Sequence, residues 1–136
     1  MFSLTTSGET AQSIFADKAK AHKTMIQTVT AEQISTLCEQ IAREFKPERI
    51  VLFGSHAYGI PGPFSDVDLM VVMPFEGSPL QQAARILTKI NPPMALDLIV
   101  RTPQQVMDRL AMQDGFMQQI VQHGKVTYEA QHSGMD

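Results

Sequence analysis

Gly54-Ser55, ten intervening residues, then Asp66-x-Asp68 is the part of this sequence best equipped for chemistry. Two carboxylates one residue apart, placed at the edge of a core, repel each other and lose hydration. Hard divalent cations such as Mg²⁺, which prefer oxygen ligands, relieve that repulsion. Gly54 lets the backbone approach a phosphate closely, and the Ser55 hydroxyl can join exposed N–H groups in holding its oxygens. A third carboxylate, Asp97, stands 29 residues after Asp68 inside the apolar run "MALDLIV". Three carboxylates on adjacent strands could hold two metal ions, or one metal ion and a general base. Together these residues read as a site for a triphosphate and its metals, where the protein mainly positions and neutralises.

The elements that must position these residues are visible in the hydrophobic pattern. Thr30 and Gln33 form a capping box, and Ile34, Leu37, Cys38, Ile41, Ala42 and Phe45 follow at helical spacing until Pro47 ends the helix. Ile50 to Phe53 is a short apolar strand closed by Gly54, and Val67 to Met73 is a second. Side chains alternate along a strand, so Asp66 and Asp68 share one side, with Cα atoms about 6.5–7 Å apart, while Val67, Leu69 and Val71 take the other. Ser78-Pro79 opens a helix whose inner face is read as Leu80, Ala83, Ala84 and Leu87. "NPP" breaks it before the third strand, which carries Asp97. Thr102-Pro103 starts a helix through Val106, Met107 and Leu110, another spans Phe116 to Gln122, and "KVTYE" can form a last strand. The predicted class is α/β (α+β): a small mixed sheet with helices packed on it.

Length and charge bound what such a site can serve. A chain of 136 residues with 43% apolar content supports one core. Residues 1–29 read as an N-terminal arm or helix, 30–129 as the folded domain and 130–136 as a tail. The net charge is −3 and no basic stripe is present, so extended nucleic acid is not an expected partner. No stretch reaches the length of a membrane span, the N-terminus lacks the basic-then-apolar order of a signal peptide, and Cys38 is the single cysteine. The expected compartment is the cytoplasm.

The Gly54-Ser55 and Asp66-x-Asp68 pattern, with apolar runs on both sides and the later "DLIV" strand, resembles the signature of the DNA polymerase β nucleotidyltransferase superfamily. The closest resemblance is to the small, single-domain minimal nucleotidyltransferases, and it covers about Thr30 to Glu129. It implies a polymerase β-like palm fold, with Asp66, Asp68 and Asp97 as catalytic metal ligands for two Mg²⁺ ions and Gly54 and Ser55 at the triphosphate of ATP. It further implies a protein partner, a small helical HEPN-type toxin, whose tyrosine receives AMP from this antitoxin. Many relatives carry arginines after Gly-Ser, where this chain reads "GSHAYG" with His56 and Tyr58.

Blander readings accompany these. Gly-Ser alone is commonly a strand-to-loop turn, and Asp97 could be half of an ion pair with Arg101. His56 could be a solvated loop residue, Tyr58 could stack on a base or pack its loop, and Lys125 could be solvated or meet a phosphate. Because one small domain leaves little surface for an acceptor, the acceptor is expected on another chain, a partner or a second copy. Two alternatives stand beside protein nucleotidylation. One is a module that neutralises a partner by contact alone; the other is a small-molecule transferase of aminoglycoside type acting as a dimer.

Overall fold

The computed structural model describes residues 28–131. In chain order they form α1 (Ala31–Phe45), β1 (Arg49–Phe53), α2 (Ser55–Tyr58), β2 (Val67–Val72), α3 (Pro79–Ile90), β3 (Leu96–Arg101), α4 (Pro103–Ala111), α5 (Gly115–His123) and β4 (Lys125–Glu129). All of these elements lie in one unit made of Val29–Pro61 and the residues from Ser65 onward, while Gly62–Phe64, part of a turn, fall outside it. The predicted N-terminal arm and tail lie outside the described residues, except for their inner ends at 28–29 and 130–131.

The sheet has the order β3-β2-β1-β4. β1 runs antiparallel to both β2 and β4, whereas β2 and β3 are parallel. A parallel pair needs a crossover, and α3 supplies it. Alternation along the strands then builds two cores. Ile50, Leu52, Val67, Leu69, Val71 and Val100 meet α1 and α3 through Ile34, Leu37, Ile41 and Ile86. Val51, Phe53, Met70 and Val72 meet α5 through Met117 and Ile120, with Val106 and Leu110 of α4 alongside. The fold is therefore a mixed four-stranded sheet with helices on both faces.

Local chemistry sets the helix limits. Thr30, Ser78 and Thr102 each head a reciprocal capping box, with Gln33, Gln81 and Gln105 as the returning side chains. Lys46 turns left-handed at the end of α1, its N–H reaching the Ala42 carbonyl at 3.0 Å, and Pro47 follows. Truncating Ile41, fully buried against the sheet, would cost about 2–5 kcal/mol through lost burial and the cavity left behind.

The inner face of α3 differs from the predicted one. Its buried residues are Gln82, Ala83 and Ile86, while Leu80 is 81% exposed and Ala84 is also exposed. The stripe is rotated because Ile86 and the half-buried Ile90 face the sheet, and Gln82 lies on that stripe with them. Its amide is satisfied there: Arg85 donates to its oxygen, and its nitrogen donates to Met73 Sδ at 3.6 Å. Met107, read as an inner residue of α4, is likewise 63% exposed. The strand "KVTYE" forms as β4, and one residue further on the Ala130 N–H bonds the Glu48 carbonyl at 2.9 Å. No helix among the described residues is long and apolar enough to cross a membrane.

Candidate functional site

Asp68 is the second residue of β2 and Asp97 the second residue of β3. The parallel register sets Asp68 opposite Asp97, and the antiparallel register sets Phe53 opposite Asp68. Val67, Leu69, Leu96 and Leu98 point toward α1 and α3, so Asp68 and Asp97 both leave the sheet on the side of α4 and α5. Neighbouring strands are about 4.8 Å apart. Asp66 lies just before β2, two residues ahead of Asp68, and is exposed. Asp68 is half-buried and Asp97 exposed, so the carboxylates line the open edge of the sheet rather than its interior.

Their electrostatics follow from that placement. Burial first, then the negative charges of Asp97 and Asp66, hold the Asp68 carboxyl above the usual aspartate range. His56 pulls it the other way, and protonated Asp68 shares a hydrogen bond with Asp97. Asp97 forms no ion pair with Arg101, which lies four residues along the same strand, about 13 Å away. The Arg101 guanidinium instead donates to the Val100 carbonyl at 2.8 Å.

The turn opposite the carboxylates is built around Gly54. Its φ of 77° is the left-handed region, and a Cβ there would run into the Asp68 carboxylate. Only glycine lets β1 turn directly over that group. Beyond it the chain winds one helical turn, α2, with the N–H groups of Ala57 and Tyr58 bonding the Gly54 carbonyl at 3.0 and 3.1 Å. His56 is half-buried, and its Nε2–H donates to the Ser65 carbonyl at 3.3 Å, closing the loop that leads to Asp66. The Tyr58 ring packs edge-on against His123 of α5, with centroids 6.3 Å apart. Lys125 is an exposed residue at the start of β4, opposite Leu52.

Four of the five residues singled out from the sequence, Gly54, Ser55, Asp66 and Asp68, thus flank one loop, and Asp97 joins them through the β2–β3 register. Among the described residues, no three Asp, Glu, His or Cys side chains converge as a ready-made metal cage. The donor set nevertheless fits a hard cation: Asp66, Asp68 and Asp97 offer carboxylate oxygens, and Asp97 and Asp66 repel the Asp68 charge, a repulsion that positive charge would relieve. Neither α2, which is too short to show a period, nor the His56–Ser65 clasp, which joins residues nine apart across an irregular loop, leaves a signal in the sequence.

A family model described as "Polymerase beta, Nucleotidyltransferase" matches residues 32–133. The chain belongs to this polymerase beta nucleotidyltransferase family. No curated protein sequence matches it. Among solved structures, this polymerase beta-type domain is similar to a Sulfolobus solfataricus protein described as a nucleotidyltransferase. Identity is 16%, the match covers 81% of this chain and 85% of that one, and the TM-score is 0.50, a likeness of fold. It also matches a toxin–antitoxin structure with AMP-PNP at 20% identity, over 71% of this chain and 74% of that one, with a TM-score of 0.48.

Proposed function

We propose that this nucleotidyltransferase moves a nucleoside monophosphate, AMP from ATP, onto a hydroxyl of a partner protein, in the manner of an antitoxin acting on a HEPN-type toxin. The observation that carries the transfer reading is the alignment of Asp68 with Asp97 beneath the Gly54 turn, within a chain of this family. The partner reading rests on the resemblance of the "GS…DVD…DLIV" pattern to the minimal nucleotidyltransferases.

In this mechanism Asp66, Asp68 and Asp97 would hold two Mg²⁺ ions. Bound there, Mg²⁺ would offset phosphate charge and lower the pKa of the attacking hydroxyl. Gly54 leaves room for the triphosphate against the β1 turn, and the Ser55 hydroxyl holds the outgoing phosphates. His56 fixes the loop that carries Asp66. The acceptor oxygen attacks the α-phosphorus in line, the bond to the β-phosphate oxygen breaks, and pyrophosphate leaves. The hydroxyl proton passes to a carboxylate oxygen of Asp97, or to solvent water where Asp97 is a metal ligand.

The test uses α-³²P-labelled ATP with Mg²⁺, the purified protein and lysate of its own host. The Asp66→Ala, Asp68→Ala double variant runs beside it. A labelled band that requires the two aspartates gives transfer and the mass of the partner. No label from any of the four nucleotides, from folded protein that still captures its partner, would favour neutralisation by contact alone. Label on a purified aminoglycoside would instead mark a small-molecule transferase.

A further inference from the structure

The outer edge of β3 has the chemistry of a docking rail for the acceptor. Among the described residues β3 has a single neighbour, β2. The carbonyls of Ala95 and Arg101 accept from Val67 and Met73 on the β2 side. By the alternation of a parallel ladder, the N–H and C=O groups of Leu96, Leu98 and Val100 therefore point outward. One of these, the Val100 carbonyl, is taken by the Arg101 side chain, which confirms the direction it faces.

Along this edge runs a cleft of about 460 Å³, floored by Leu98–Arg101 and walled by the start of α3 on one side and by Gln105 and Arg109 of α4 on the other. It is open to an extended chain, and its charge is positive. Arg109 is paired with Asp114 at 3.0 Å, but Arg101 has no carboxylate partner among the described residues. Burial first, then the nearby Arg109 charge, work against the Arg101 guanidinium, and the Asp114 carboxylate offsets only part of this, so an anion in the cleft would be favoured.

We infer that an extended, hydroxyl-bearing segment of the partner protein adds to β3 as a fifth strand, with an acidic residue four positions from the hydroxyl. This rests on the reading of the site as one that transfers a nucleotide to a protein hydroxyl. The spacing follows from the strand itself. Residues directly opposite one another in neighbouring strands project to the same side, and Asp97 and Arg101 are four residues apart on the carboxylate side of β3. A tyrosine, serine or threonine laid beside Asp97 points at the proposed site, and the residue four further along meets Arg101. Main-chain pairing supplies affinity and the two side chains supply register, as in other strand-addition interfaces.

The experiment uses the full chain and fluorescein-labelled peptides of about nine residues, rich in threonine and valine. Each carries one tyrosine and one glutamate at a varied separation, and binding is read by anisotropy without nucleotide. The four-residue separation matching Asp97 and Arg101 should bind about tenfold more tightly than separations one shorter or one longer. N-methylation of the peptide amides facing β3 should abolish binding. Arg101→Glu should remove the preference, and lysine in place of the peptide glutamate should restore it, which also shows that the variant is folded. Equal affinity at every separation, or indifference to N-methylation, would overturn the inference.

The same peptides incubated with α-³²P-labelled ATP and Mg²⁺ separate this inference from the reading beneath it. A docked peptide that takes no label sustains the rail and removes protein nucleotidylation. A partner protein labelled at equal rates by wild type and Arg101→Glu sustains nucleotidylation and removes the rail.

Discussion

Asp68 and Asp97 stand abreast at the start of two parallel strands, and their side chains share a hydrogen bond when Asp68 is protonated. Burial and two neighbouring carboxylates hold the Asp68 carboxyl above its ordinary range. The folded state thus favours the protonated form. The stability this provides is complete below the unfolded-state pKa and is lost as pH rises through the folded value. At neutral pH, without divalent ions, ionised Asp68 is therefore a cost to the fold. Asp68→Asn should melt a few degrees higher than wild type at neutral pH in EDTA, with the difference vanishing near about pH 3. Added Mg²⁺ should raise the wild-type Tm and leave the variant nearly unmoved. A variant that melts lower in EDTA at neutral pH would count against a strained carboxylate pair.

Gly54 sits where two demands coincide, a positive φ and the absence of a Cβ above Asp68. Gly54→Ala meets neither, so the β1 turn or the Asp68 side chain must move. The expected result is a lower Tm and transfer activity reduced by about tenfold or more, since a misplacement costing about 1.4 kcal/mol at the transition state already amounts to that factor. Ser55→Ala removes only a hydroxyl and should lose activity by a few-fold with an unchanged Tm. Equal losses in the two variants, measured by label transfer and by melting, would remove the steric argument.

Most of this site was legible because strands and their partners leave a local trace. The alternation of Asp66, Asp68 and Asp97 with apolar residues shows which side each carboxylate takes, and Asp97, standing 29 residues after Asp68, leaves room for one crossover helix. The three capping boxes announce α1, α3 and α4 by side chains three residues apart. Contacts that depend on tertiary packing left no such trace. Which stripe of α3 is buried turned on how Ile86 and Gln82 meet the sheet, where a polar residue can be satisfied by Arg85 and Met73. That Arg101 forms no ion pair, and that β3 has the single neighbour β2, became visible only in the packing of the described residues.

Asp114 shows the opposite electrostatic sign from Asp68. As N-cap of α5 it accepts the Met117 N–H at 3.1 Å, and Arg109 donates to it at 3.0 Å. The Met117 hydrogen bond first, then the Arg109 contact, hold its carboxyl below the ordinary aspartate range. Its contribution is therefore present above the unfolded-state pKa and lost as pH falls through the lower, folded value. Asp114→Ala should melt a few degrees below wild type at neutral pH. Melting curves taken toward acid should keep that gap down to the usual carboxylate range and narrow it progressively below, toward the folded value. Asp114→Asn, which can still cap the helix, should recover much of the loss. A gap independent of pH would mean that the charge contributes nothing.

His56 follows the Gly54-Ser55 turn and is bound into the loop rather than extended from it. Its Nε2–H holds the Ser65 carbonyl, one residue before Asp66, and its ring acts on the Asp68 carboxyl in the direction that favours ionisation. Removing it should loosen the chain entering β2 and make Asp68 harder to ionise, both of which weaken cation binding. His56→Ala is thus expected to raise the Mg²⁺ concentration needed for half-maximal transfer by several-fold, with a smaller change in kcat at saturating Mg²⁺. His56→Gln, which can restore the hydrogen bond to Ser65 but not the ring's action on Asp68, separates the two contributions. Recovery by glutamine assigns the effect to the clasp, and no recovery assigns it to the electrostatic action on Asp68. A fall in kcat that persists at saturating Mg²⁺ in both variants would instead put the His56 side chain against the nucleotide itself.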